Sequence, residues 1–170
     1  MIVSYTAQQA ERDIEQLVDL LMDAVDSGAS IGFMPPISRA EAFAYWQDTI
    51  AAMRTGHRLL LVAMEGDVIQ GSVQVHLEPR ANGNHRAEAI KLFVHRRARR
   101  RGLAKALMLE VEATARRLGR TLLLMDTRKG GEAEKMCESL GYTRYGEVPK
   151  YARSGDGRLD ATVFYYHHLD

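Results

Sequence analysis

The chain has 170 residues, 46% hydrophobic and 26% charged, enough to bury a full core and unlike the composition of disordered or fibrous proteins. A formal net charge of +1 argues against a dedicated nucleic-acid binder. One cysteine, Cys137, excludes an intramolecular disulfide and suits a reducing compartment.

In chain order, residues 3–6 read as a first strand. Residues 10–27 read as a helix, with Ile14, Leu17, Val18, Leu21 and Val25 on one stripe and Gly28 as its stop. Residues 28–36 form a loop. Ser38 with Glu41 predicts a capping box for a second helix that ends at Gly56. Trp46 lies on the apolar side of that helix with Phe43, Ile50 and Met53, and is assigned to the core. Residues 58–64 and 68–77 form a hairpin about Glu65-Gly66-Asp67.

After a loop at 79–84, residues 87–94 read as a central strand. Residues 103–118 read as an amphipathic helix stopped by Gly119, and 121–126 as a buried strand. A short helix at 131–140 ends at Gly141. Residues 143–151 and 159–168 are two last strands joined by Ser154-Gly155-Asp156-Gly157. The order β-α-α-β-β-β-α-β-α-β-β describes one α/β (α+β) domain over 1–170. It has a mixed sheet of about seven strands, antiparallel at its ends, and four helices. Strand–helix–strand from 87 to 126 predicts a right-handed parallel crossover.

No apolar run approaches the roughly 20 residues that span a bilayer. The start carries no signal-peptide pattern, so a cytoplasmic location is expected. None of the six histidines has metal-ligand spacing, and His167 and His168 fall on opposite faces of a strand. No metal site is expected.

The chemistry concentrates between the central strand and the helix at 103, in Ala98-Arg99-Arg100-Arg101-Gly102-Leu103-Ala104-Lys105. Free N–H groups at a helix start and the helix dipole favour an anion there. Small residues at Gly102 and Ala104 let a phosphate reach the backbone. Arg96, Arg97, Arg99, Arg100 and Arg101 crowd the same turn, which suits a pyrophosphate. The alternative is a solvated charged turn. Neither a triphosphatase loop nor a three-glycine dinucleotide fingerprint is present.

The pattern Arg99-x-x-Gly102-x-Ala104 resembles the Arg/Gln-x-x-Gly-x-Gly/Ala signature of GNAT-type, acetyl-CoA-dependent N-acetyltransferases, whose element order is also the one read here. The stretches Gly28-Ala29-Ser30-Ile31-Gly32-Phe33-Met34, Asn84-His85-Arg86-Ala87-Glu88, Gly146-Glu147-Val148-Pro149-Lys150-Tyr151 and Ser154-Gly155-Asp156-Gly157-Arg158-Leu159 resemble the tabtoxin-resistance acetyltransferases, which implies a toxin- or antibiotic-resistance role. The resemblance implies acetyl-CoA as cosubstrate, with its pyrophosphate held across Arg99–Lys105. It implies that the pantetheine arm pairs with the central strand at Leu92, Phe93 and Val94. It offers Phe33 and Tyr151 for the acceptor pocket.

Glu88 and Asp126 stand near strand ends, where sites of open α/β sheets gather. Glu88 shares strand parity with Ile90, Leu92 and Val94, and a carboxylate on an apolar face suits a general base. The alternatives are an ion pair of Glu88 with Arg86 or another cation, and a turn-capping role for Asp126. Met136-Cys137-Glu138-Ser139-Leu140-Gly141-Tyr142 departs from the family pattern. Cys137 takes the position of the tyrosine that protonates the leaving thiolate, and reads as a small core residue.

The expected function is acetyl transfer to the primary amine of a small, amino-acid-like or toxin-like molecule, by direct attack in a ternary complex. No nucleic acid or membrane partner is expected, and the protein would be a monomer or homodimer. A non-catalytic acyl-CoA-binding module and a protein or peptide N-acetyltransferase are the competing readings.

Overall fold

The computed structural model describes residues 1–169. In chain order the elements are β1 (Ile2–Tyr5), α1 (Ala7–Arg12), α2 (Ile14–Asp26), α3 (Arg39–Arg54), β2 (Arg58–Glu65), β3 (Val68–Leu77), β4 (Arg86–Val94), α4 (Leu103–Arg117), β5 (Leu122–Arg128), α5 (Glu132–Ser139), β6 (Thr143–Arg153) and β7 (Leu159–His168). A short 3-10 turn, Arg96–Ala98, lies between β4 and α4. The seven strands form one mixed sheet in the order β1-β2-β3-β4-β5-β7-β6. Only β4 and β5 pair in parallel, so the predicted strand–helix–strand unit is present.

Five helices, not four, occur among the described residues. The expected first helix begins earlier, at Ala7, and is broken at Asp13. Thr6 starts it with a reciprocal cap: Gln9 N–H donates to Thr6 Oγ1 and Thr6 N–H to Gln9 Oε1. At Asp13 the backbone leaves the helical region, and the carboxylate accepts from Tyr5 Oη and the Arg12 guanidinium. A contact from β1 thus overrides a continuous helical stripe.

Two apolar layers cover the sheet. On one side α4 and α5 pack Leu107, Met108, Val111 and Cys137 against Val73, Val75, Ala87, Ala89 and Leu123. On the other side α1, α2 and α3 pack Leu17, Leu21 and Trp46 against Leu60, Val62 and Phe93. Trp46 is fully buried, and its indole N–H donates to the Leu17 carbonyl at 2.8 Å.

Strand β4 carries one extra residue. Gln74 pairs with Ile90, but Ser72 pairs with Phe93, and Lys91 absorbs the difference at φ 55°. The bulge inverts the alternation. Leu92 and Val94 fall on the α4 side with Ala87 and Ala89, and Phe93 on the side of Trp46. The expected parity of Glu88 with Leu92 and Val94 is therefore incorrect. An inserted residue shifts every later side chain to the opposite face.

Truncation of Trp46 removes both a large buried ring and a backbone partner. Trp46→Ala should lower stability by about 3–5 kcal/mol, read as a reduced midpoint in urea unfolding followed by circular dichroism.

Candidate active site

Strands β4 and β5 stay paired for only three positions, Arg86–Leu122, Ala87–Leu123 and Glu88–Leu124. Both strands continue beyond, to Val94 and Arg128, without a ladder between them. An unpaired strand edge offers a row of backbone donors and acceptors. An extended arm with its own amides can take the place of the missing strand there. Leu92, Phe93 and Val94, the positions expected to meet the pantetheine arm, lie on this stretch.

The turn that follows leads from this edge to the start of α4. Arg100 has φ 61° and Gly102 has φ 78°. Gly102 is the N-cap of α4 and supplies no side chain to satisfy the first helical N–H groups. A Cβ at Gly102 would meet nothing within 4 Å, so the space over the helix start is open. Leu103 and Ala104 pack against the α4-side core.

The arginines of this turn divide by partner. Arg96 bonds Asp23, and Arg97 donates to Gln70 Oε1. Arg99 donates to the Val94 carbonyl and to Ser27 Oγ. Arg101 pairs with Glu65. Among the described residues, Arg100 and Lys105 have no hydrogen-bond or ion-pair partner and are exposed. Four arginines therefore brace the turn, and two cations remain for an anionic ligand.

Glu88 and Asp126 share a face. Glu88 is opposite Leu124 in register, and Asp126 lies two residues further along β5. Glu88 is half-buried and has no ion pair among the described residues, because Arg86 is drawn instead to Glu78 at 3.2 Å. Burial, and then the negative charge of Asp126, raise the Glu88 pKa; Arg58 and Arg86 oppose the rise. Asp126 opens to solvent at its edge, yet the surrounding protein raises its pKa against the pull of Lys91. Two carboxyls that hold protons more tightly than usual are suited to general-base work near neutral pH.

Lys91 is the participant that periodicity does not reveal. It stands on the bulge, half-buried, and its Nζ donates to the Ile31 carbonyl. The same nitrogen lies 5.6 Å from the Phe33 ring centroid. Burial lowers its pKa, and Asp126 partly restores it. A lysine between Ile90 and Leu92 in a central strand was the available signal.

Phe33 meets Tyr45 edge-on at 5.2 Å between centroids. It lines a cavity of about 240 Å³ bounded by the loop after α2, by Arg128 and by residues 152–155. Tyr151 does not line this cavity. Strand β6 has a register shift between Val148 and Ala152, with Lys150 at φ 54°. Tyr151 stands 55% exposed, edge-on to Phe164.

Cys137 is fully buried, with Sγ 3.2 Å from Met125 Sδ. Burial pushes its thiol pKa up to about 12. It is a core residue with a neutral thiol. Tyr142 is likewise buried, and its phenol pKa is raised.

The site thus consists of an open helix start beside a split sheet, with Glu88 and Asp126 near the point where the strands part. Residues 17–142 match the Acetyltransferase (GNAT) family, and the chain belongs to that family. The fold is similar to that of an N-acetyltransferase from Staphylococcus aureus Mu50, at 17% identity over 100% of this chain and 98% of that one, with a TM-score of 0.81. It is similar to yncA of Salmonella typhimurium with its cofactor acetyl-CoA, at 20% identity over 100% and 94%, with a TM-score of 0.80. A ribosomal-protein-alanine N-acetyltransferase from Brucella melitensis aligns at 20% identity over 99% of both chains, with a TM-score of 0.79.

Because folding raises both carboxyl pKa values, the folded chain binds more protons here than the unfolded one. Their favourable contribution is complete below the unfolded values, about 4.3 for Glu and 3.9 for Asp. It is lost as pH rises through the folded values. Glu88→Gln and Asp126→Asn should therefore unfold at higher temperature than wild type at about pH 7.5, with the gap closing below about pH 4. Scanning calorimetry across that range checks the sign.

Proposed function

We propose that the chain is an acetyl-CoA-dependent N-acetyltransferase that modifies the primary amine of a small molecule by direct attack in a ternary complex. The observation that carries this reading is the end of the β4–β5 ladder at Glu88, beside a helix start left open by Gly102. The fit to a CoA ester is structural: open space lies where a Cβ of Gly102 would stand, and an unpaired strand edge leads to it.

Backbone N–H groups from Gly102 to Lys105 hold the pyrophosphate, and the unpartnered Arg100 and Lys105 add charge. The backbone of Leu92–Val94 orients the pantetheine arm. Acetyl-CoA, when bound, supplies an acetyl group activated as a thioester. Glu88, with its pKa raised by burial and by Asp126, accepts the proton that the acceptor ammonium must lose before it attacks, directly or through one water. Asp126 keeps Glu88 basic. Cys137, buried and neutral, takes no part. A CoA thiol has a pKa near that of free cysteine, about 8.5, so solvent protonates it at modest cost.

The small volume of the cavity, about 240 Å³, favours a small acceptor over a peptide. Two of its lining residues, Gly155 and Pro35, pack so closely that a Cβ at Gly155 would lie 2.8 Å from Pro35 Cγ. The likeness of the 28–34 and 146–159 stretches to tabtoxin-resistance enzymes supports an amino-acid-like acceptor and a protective role. One sheet shared by both apolar layers supports a single catalytic domain over 1–170, and a CoA ester as cosubstrate supports a cytoplasmic location. A half-buried Glu88 with no ion pair, beside the charge of Asp126, has no use in a non-catalytic acyl-CoA binder, so catalysis is the favoured reading.

A thiol-release assay with acetyl-CoA and a panel of amino acids, polyamines, aminoglycosides and peptides tests this proposal. Glu88→Gln should lower kcat/KM by about 10², while Cys137→Ala keeps most activity. Asp126→Asn removes the like charge beside Glu88, so the acidic limb of the pH–rate profile should move to lower pH.

The turn has its own test. Asn tolerates the left-handed backbone of position 102, and its side chain would occupy the open space over α4. Gly102→Asn should weaken CoA binding at least about tenfold with the fold unchanged, as measured by calorimetry.

A further inference from the structure

We infer that the acceptor carries a carboxylate, and that Arg128, on the wall of the 240 Å³ cavity, binds it while Asp126 and Glu88 face its ammonium group. This rests on the N-acetyltransferase reading and narrows it to free amino acids.

The charge around the cavity points this way. Its charged lining residues are Arg128 and Arg153, and no carboxylate lines it. Such a wall repels polyamines and aminoglycosides and attracts an anion. At about 240 Å³ it is smaller than the roughly 300–1,000 Å³ pockets that take drug-sized ligands.

Arg128 is poised and under-used. A guanidinium has five N–H donors in a planar fork. Here Nη1 reaches the Gly28 carbonyl only at 3.4 Å, and Asp160 Oδ2 only at 4.0 Å. The second distance is too long for a hydrogen bond, and Asp160 already accepts from Ser154 Oγ. Arg80, by contrast, holds Glu78 at 2.7 Å. The bidentate face of Arg128 is free for a ligand carboxylate.

Spacing completes the argument. Asp126 and Arg128 are two residues apart on one strand, hence on one face and about 6.6 Å apart along it. A negative and a positive side chain at that interval complement a zwitterion, with the ammonium toward Glu88 and the β4–β5 gap. Gly155 and Pro35, which pack closely on each other, line the same cavity as Arg128.

The experiment compares each standard L-amino acid with its own primary amide, in CoA-loaded protein by calorimetry and in the acetyl-CoA assay by kcat/KM. Wild type should prefer at least one amino acid over its amide by at least about tenfold. Arg128→Gln should shrink that ratio to about threefold or less, and Arg128→Lys should restore part of it. Thermal unfolding confirms that both variants fold. Carboxylate-selective, Arg128-dependent binding without turnover would support the subsite while overturning the catalytic reading. Turnover of simple amines with no preference for a carboxylate would overturn the subsite while sustaining that reading. Preference that survives Arg128→Gln, or no binding of any amino acid, would also overturn it.

Discussion

Between Ile90 and Phe93 the chain takes three steps where its neighbour β3 takes two, and Lys91 adopts a left-handed backbone to absorb the difference. Were Lys91 an ordinary alternating position with no bulge, Leu92 and Val94 would face α3, and Phe93 would lose its place against Trp46. With the bulge, β4 serves two layers in succession. The same strand leaves β5 after Glu88, so its far half is free on one edge while β3 still anchors the other. A backbone outlier of this kind costs of order 1–3 kcal/mol. The packing of Phe93 on one side and Leu92 and Val94 on the other supports it.

Lys91 also ties the sheet to the loop above it. Its Nζ bonds Ile31, approaches Phe33, and lies so near Gly32 that a Cβ there would meet it at 2.9 Å. The loop is held at its other end too. Ser27, at the C-cap of α2, accepts from Arg99, and Asp23 on α2 accepts from Arg96. The turn at the start of α4 and the wall of the 240 Å³ cavity thus share one helix end as their support. Arg128 adds a weaker contact to Gly28 in the same segment.

Much of this was legible in the sequence. The stripe from Ile14 to Val25, the cap at Ser38, the succession of seven strands along the chain and the Arg99–Lys105 turn follow from periodicity and local chemistry. Trp46 and Cys137 are core residues, as their positions implied. What escaped depends on contacts between distant segments. The break at Asp13 needs Tyr5 from β1, and the bulge at Lys91 leaves no mark in an alternating pattern. The arginine-rich turn reads as uniform charge until Asp23, Glu65, Gln70 and Ser27 are seen to claim four of its side chains. Arg128 gains meaning only when residues 152–155 fold back over the end of β5.

The buried thiol bears on chemical durability. A protein that handles thioesters keeps company with reactive acyl groups and with free CoA thiol, both of which exchange with exposed cysteines. Cys137 is sealed between Met125 and the α4-side core, with a pKa near 12. Burial disfavours its thiolate, which is the form that attacks. The side chain is therefore closed to self-acylation, to mixed disulfides and to peroxide. The one sulfhydryl of the chain is shielded from electrophiles and oxidants in solution.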